Sequence, residues 1–160
     1  MPLHLPADLD TPSLPAGNGL IDLDQTFLPE GRMRQISRVN QIQGPTISAE
    51  MDLGEDHWVW PEHFPGDPVF PGTLMLEAAG QLVAVWAWSY GARGRPRLVR
   101  ISGHFQSPAG PGTRFLLLKG EVQRKRQVYF GRVQVSAGDV QIAKVEVALV
   151  VLSQDPHEEA

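Results

Sequence analysis

HFPGDPVFPGTLMLEAAGQLVAVWAWSY, residues His63 to Tyr90, decides how the chain is read. Its first third is broken by Pro65, Pro68 and Pro71-Gly72, which disfavour helix before Val69 and end a loop. From Thr73 onward there is no proline, and the apolar run is long enough for about five helical turns. Apolar residues lie all round the predicted helix, the mark of a helix enclosed by its own protein. Thr73, Glu77 and Gln81 stand four apart and form one narrow polar line along it. A membrane span of this length is conceivable, but Glu77, Gly80 and Gln81 in its first half, with no second such segment, argue against one.

A glutamate kept inside an oily cylinder needs a reason. Burying a carboxylate costs free energy unless it is paired or protonated, and burial favours the neutral acid, which can donate a proton. A histidine, which titrates near neutrality, is its natural complement as a base. The N–H of Gly72 lies at the positive end of the helix dipole with no side chain in front of it, so it can hold a developing oxyanion. His63, Gly72 and Glu77 thus offer a base, an oxyanion donor and an acid within fifteen residues. Taken singly, each has a bland alternative: a loop or capping histidine, and a buried glutamate paired with an arginine.

His63-Phe64-Pro65-Gly66-Asp67-Pro68-Val69-Phe70-Pro71-Gly72, with Leu74-Met75-Leu76-Glu77-Ala78 and Gln81 after it, closely resembles the active-site signature of the 3-hydroxyacyl-[acyl-carrier-protein] dehydratases. Upstream, Ala49 to Leu53 and Asp56-His57-Trp58-Val59-Trp60 resemble the 3-hydroxydecanoyl branch, which also isomerises its product. Leu28-Pro29, Met33 and Ser37-Arg38-Val39 resemble the start of that branch's first strand. The resemblance spans roughly Leu14 to Leu152 and is strongest at the motif. It departs at Glu77: the decanoyl branch carries aspartate there, and the dehydration-only branch carries glutamate.

The resemblance implies a hotdog fold, in the α+β class, and conversion of 3-hydroxyacyl thioesters to trans-2-enoyl thioesters without a cofactor. His63, Glu77 and Gly72 would be catalytic, while Val69, Phe70, Thr73, Gln81 and Trp60 would contact substrate. The partner implied is an acyl carrier protein, and the family's shared site implies a homodimer. The alternatives are a dehydratase-isomerase giving a cis-3-enoyl product, and a non-catalytic hotdog subunit of a lipid or polyketide assembly. Thioesterase activity is a weaker fit to this motif.

Composition narrows the classes independently. The 160 residues suit one domain, and 42% hydrophobic with 20% charged residues is ordinary for a globular protein. Zero cysteines exclude disulfides, thiolate metal sites and a cysteine nucleophile. The start, MPLHLPADLDTPSLPAG, has neither a basic opening nor an apolar signal core, so the cytoplasm is the expected compartment. A net charge of −4 argues against a general nucleic-acid binder. The remaining histidines lack the spacing of a metal site, and Asp22-Leu23-Asp24 reads as a solvated turn.

In chain order, residues 1–32 read as an extended proline-rich arm with one short turn or helical segment, 33–152 as a single domain and 153–160 as a loose acidic tail. Two strands are expected between Arg34 and Leu53, turning at Gly44-Pro45. His57, Trp58 and Trp60 could line a pocket or plug the core. Four more strands are expected over Arg97–Phe105, Thr113–Gln123, Val128–Ser136 and Val140–Leu152, the last two joined by a hairpin at Ala137-Gly138-Asp139. One long helix among about six strands predicts an antiparallel sheet wrapped round that helix. Basic residues cluster at Arg93, Arg95, Arg97 and Arg100, and again at Arg124-Lys125-Arg126. Such runs are usually solvated loops, but the second is the expected docking surface for an acidic carrier.

Overall fold

The computed structural model describes residues 21–153. The first twenty residues of the expected arm and most of the expected acidic tail lie outside the described residues. Six strands form one sheet: β1 (Arg38–Gln43), β2 (Thr46–Asp52), β3 (Arg95–Phe105), β4 (Phe115–Lys125), β5 (Val128–Ala137) and β6 (Val140–Leu152). A one-turn helix α1 (Val59–Glu62) and the long helix α2 (Gly72–Ser89) lie between β2 and β3. The strand order is β1-β2-β4-β5-β6-β3, antiparallel at every pairing. The sheet curls round α2, the hotdog arrangement expected from the sequence.

The helix is enclosed on its sheet side. Met75, Ala78, Ala79, Leu82, Val83, Val85, Trp86 and Ala87 are buried against alternating residues of the strands, among them Ile47, Leu116, Leu118, Val133 and Val145. Where α2 comes closest, the sheet carries glycine: a methyl group on Gly131 would overlap Val83, and one on Gly120 would stand 2.9 Å from Leu82 Cδ2. The far end of α2 is tied to the β1–β2 turn, where Gly44 O accepts from Trp86 Nε1 (2.9 Å) and from the Tyr90 hydroxyl (2.8 Å).

The structure departs from the expected elements at the arm and at β4. The described part of the arm forms two single 3-10 turns, Leu23–Gln25 and Gly31–Met33, rather than one. Asp22 caps the first turn, and Asp24 pairs with Arg34 at 2.6 Å. β4 is displaced two residues toward the C-terminus of the expected strand, because Leu53 N already bonds to Arg114 O where the ladder ends. Among the described residues β3 bonds to β6 on one side only, and most of it is exposed, including Leu98 (55%), Val99 (61%) and Phe105 (50%). An eleven-residue edge bearing apolar side chains is a ready template for another strand.

Candidate active site

α1 ends at His63, whose N–H bonds to Val59 O at 2.8 Å. Phe64 then takes a left-handed conformation (φ 55°), costly for a non-glycine residue, and turns the chain sharply into the proline loop. His63 is half-buried, with Phe64 4.3 Å from its ring between centroids. Its Nδ1 lies 2.8 Å from Val69 O. A carbonyl oxygen can only accept, so Nδ1 carries the hydrogen, and in the neutral form of the ring the lone pair is at Nε2. Val69 therefore enters the site through its backbone, as the group that sets the tautomer.

Pro71 caps α2, and Gly72 is its first residue. The Gly72 N–H is among the first four of the helix, which have no intrahelical acceptor. The Phe105 ring, from the free edge of β3, covers this position: a Cβ on Gly72 would lie 2.8 Å from Phe105 Cε1. A side chain there would have to displace the half-exposed Phe105 ring.

One turn further on, Glu77 lines a cavity of about 650 Å³ between α2, the 27–29 segment of the arm and β3. Thr73 and Gln81 line it with Glu77, so the polar line expected on the helix does face one space. Gln81 is 4% exposed and all its polar atoms are engaged. Its Oε1 accepts from Gln35 N (2.9 Å) and Ile36 N (3.4 Å), while Nε2 donates to Met33 O (2.7 Å) and Glu77 Oε1 (3.1 Å). It ties the arm to the helix and hydrogen-bonds Glu77.

Trp60 and Phe70 are brought together elsewhere. Both are buried and meet edge to face, at 6.4 Å between ring centroids, and Trp60 Nε1 donates to Gly54 O at 2.8 Å. Of the two readings open for Trp60, its surroundings in this chain match the core plug. His57 packs against both rings and accepts from Val59 N at Nδ1 (3.1 Å). Burial lowers its pKa from 6.5, against a smaller raising effect of Asp56. His63 is not among the residues lining the Glu77 cavity. The cavity's other helix residues, Leu76, Gly80 and Ala84, were not among the site residues expected from the sequence, although their three- and four-residue spacing from Thr73 and Glu77 puts them on the same face.

The two basic clusters share one end of the sheet. Register carries Lys125 of β4 through Val128 and Val150 to Arg97 of β3, three strand spacings or roughly 14 Å away. Arg95 and Arg97 border the cavity, with Arg95 Nε bonded to Ser153 O (2.7 Å) and Arg97 Nη1 to Pro96 O (2.9 Å). Arg124 bends back onto Arg126 O (2.9 Å), and Lys125 and Arg126 are exposed at the hairpin tip. No described helix is long and apolar enough to cross a membrane, and no group of three or more potential metal ligands occurs among the described residues.

Solved structures share this fold at low identity. The dehydratase heterocomplex ApeI:P from Xenorhabdus doucetiae matches with a TM-score of 0.71 at 13% identity, over 87% of this chain and 96% of that one. AziG from S. sahachiroi gives 0.59 at 18%, over 72% and 90%. A thioesterase from Haemophilus influenzae gives 0.59 at 13%, over 75% and 80%. The neighbours thus include both dehydratases and thioesterases, and the likeness shows the hotdog fold alone. Residues 28–146, which contain the loop, the helix and nearly all of the sheet, match the FabA-like domain, and the chain belongs to that family.

Proposed function

We propose that this protein dehydrates 3-hydroxyacyl thioesters on an acyl carrier protein to trans-2-enoyl thioesters. The observation that carries the reading is the hydrogen bond from His63 Nδ1 to Val69 O, which leaves Nε2 as the basic atom. In the reaction, His63 Nε2 takes a proton from C2, whose electrons form the new C2–C3 double bond as the C3–O bond breaks. Glu77 in its protonated form gives its proton to the departing hydroxyl, which leaves as water. The Gly72 N–H hydrogen-bonds the thioester carbonyl and stabilises the enolate-like charge. The thioester acidifies C2, so the reading requires no cofactor.

Two copies are needed. His63 does not line the cavity that holds Glu77, and β3 offers a long free edge. Gly103 approaches Leu76, and Phe105 approaches Gly72, so the C-terminal end of β3 lies beside the start of α2. Antiparallel pairing of two β3 edges would therefore bring each copy's basic end towards the other's Thr73 end. In this arrangement the partner's His63 faces Glu77, and a carrier bound at one copy's Arg124–Arg126 hairpin feeds the shared site. Glutamate at position 77, as in the dehydration-only branch, supports a trans-2-enoyl end product. The upstream likeness to the decanoyl branch favours a second reading, further isomerisation to the cis-3-enoyl thioester, which NMR of the product distinguishes.

The test is complementation. His63→Ala and Glu77→Ala should each abolish hydration of a crotonyl thioester, while a mixed dimer of the two regains one intact site. Folded mixed dimers without activity would overturn the shared site, and an active Glu77→Ala homodimer would overturn the role of the acid.

A further inference from the structure

α1 is four residues long, too short to be held by cooperative helix formation. Its N-cap residue, Trp58, makes no side-chain capping bond. The cap comes from the residue before it: His57 Nδ1 accepts the N–H of Val59, the first helical residue, at 3.1 Å. His57 is itself fixed in this turn, since its N–H bonds to Gly54 O (3.0 Å) and its carbonyl accepts from Trp60 N (3.2 Å). At the far end of the turn, Val59 O accepts the N–H of His63 at 2.8 Å. Both polar groups of Val59 are thus engaged by histidines, one in the loop and one in the candidate site.

A second route runs through the ring. Val69 O lies 2.8 Å from His63 Nδ1, and the N–H of the same peptide unit, that of Phe70, bonds to Ala109 O at 2.7 Å. The peptide that sets the tautomer of His63 can therefore turn only if Phe70 moves. Phe70 is buried, and the His57 ring meets it edge to face at 5.9 Å between centroids. Trp60 packs on both, 6.4 Å from Phe70 and 6.1 Å from His57. One imidazole thus braces the backbone on either side of His63, through Val59 by its nitrogen and through Phe70 by its ring. Few side chains can do both. Asparagine and serine cap without a ring, aspartate would bring a charge among the aromatics, and phenylalanine has no acceptor.

We infer that His57 is a positioning residue for the reaction, fixing the place and the tautomer of His63. The inference rests on the dehydratase reading for what His63 does and on these contacts alone for how His63 is held. The charged groups facing His57 are Asp56 on its own loop, and Asp52, Arg32 and Arg34, which line a cavity of about 340 Å³ with it. Those last three are already paired, with Arg38, Glu62 and Asp24.

The experiment compares His57→Phe, which keeps a ring and loses the acceptor, with His57→Asn, which keeps an acceptor and loses the ring. 15N NMR reads the tautomer of neutral His63, and kinetics on C4 to C16 3-hydroxyacyl pantetheine thioesters read kcat and KM. The unaltered protein should show the Nδ1–H tautomer alone. His57→Phe should show a mixture of tautomers, with kcat at least tenfold lower and KM within twofold. His57→Asn, which restores the cap, should lie between the two on both readings. A single tautomer and kcat within twofold in folded His57→Phe overturn the inference, whatever its melting temperature. If His57→Phe does not fold, the unaltered protein decides: the His63 Nδ1 resonance must show a second inflection at the pH where His57 titrates, and a single inflection overturns the inference. If the unaltered protein turns over no member of the series, the dehydratase reading fails by itself, and the tautomer comparison alone upholds or overturns the role of His57.

Discussion

Gln81 Nε2 donates to Glu77 Oε1 across 3.1 Å on the same face of α2, while Gln81 Oε1 holds the backbone N–H of Gln35 at 2.9 Å. One buried amide thus joins the candidate acid to the arm that walls its cavity. Gln81→Leu would keep the volume and orphan the buried N–H groups of Gln35 and Ile36, which share Gln81 Oε1, while Met33 O keeps the Gln35 amide. Each unpaired buried group costs roughly 1–3 kcal/mol, so a loss of about 2–4 kcal/mol is expected in urea unfolding. Because Glu77 is released as well, kcat should fall by more than KM rises. A variant with full kcat and only a lower unfolding midpoint would assign Gln81 to the arm alone.

His57 supplies a pH dependence of stability. Burial lowers its pKa from 6.5, and its Nδ1 must stay unprotonated to accept the Val59 N–H. The unfolded chain therefore binds the proton more readily. Stability is complete above about pH 6.5 and is lost as pH falls towards the folded-state pKa, with a slope of at most about 1.4 kcal/mol per pH unit. His57→Asn keeps a side-chain acceptor and removes the titration. Melting temperatures at pH 7 and pH 5 should differ less in this variant; an unchanged difference would place the acid sensitivity elsewhere.

What could be read from sequence follows from what is local. Alternation and turn chemistry placed β5 and β6 to within a residue, with Gly138 at φ 57° in the hairpin between them, and the end of the prolines placed the start of α2 to within one residue. The order of the strands was not legible. That β2 pairs with β4 and leaves β3 outside β6 depends on how the chain crosses α2, and no periodicity records it. The site was legible in part for the same reason. Thr73, Glu77 and Gln81 share a face because of helical geometry, whereas the move of Trp60 and Phe70 into a common aromatic cluster depends on the fold of a loop.

The free edge of β3 gives a prediction about assembly. Val99 is 61% exposed beside a register irregularity between Leu98 and Arg100. Val99→Asp should therefore be harmless to a lone chain, but it would set two like charges near each other where β3 edges pair. Light scattering should report a monomer with an unchanged circular dichroism spectrum, and activity should be lost because the site is shared. A fully active monomer would remove the need for a second copy.

Carrier docking can be separated from stability at the tip of the β4–β5 hairpin. Arg126 sits at φ 58°, where asparagine is better tolerated than arginine, and Lys125 beside it is exposed. Arg126→Asn removes a charge and relieves backbone strain together, so the melting temperature should hold or rise. If the hairpin receives an acidic carrier, KM for the carrier-linked substrate should rise several-fold in Arg126→Asn and further in Lys125→Glu/Arg126→Asn. KM for the same acyl group on free pantetheine should not change. Salt should erase the difference between unaltered and variant proteins, since screening removes the attraction that the substitutions remove. Equal effects on carrier-linked and free thioesters would mean that the hairpin acts on the cavity rather than on the carrier.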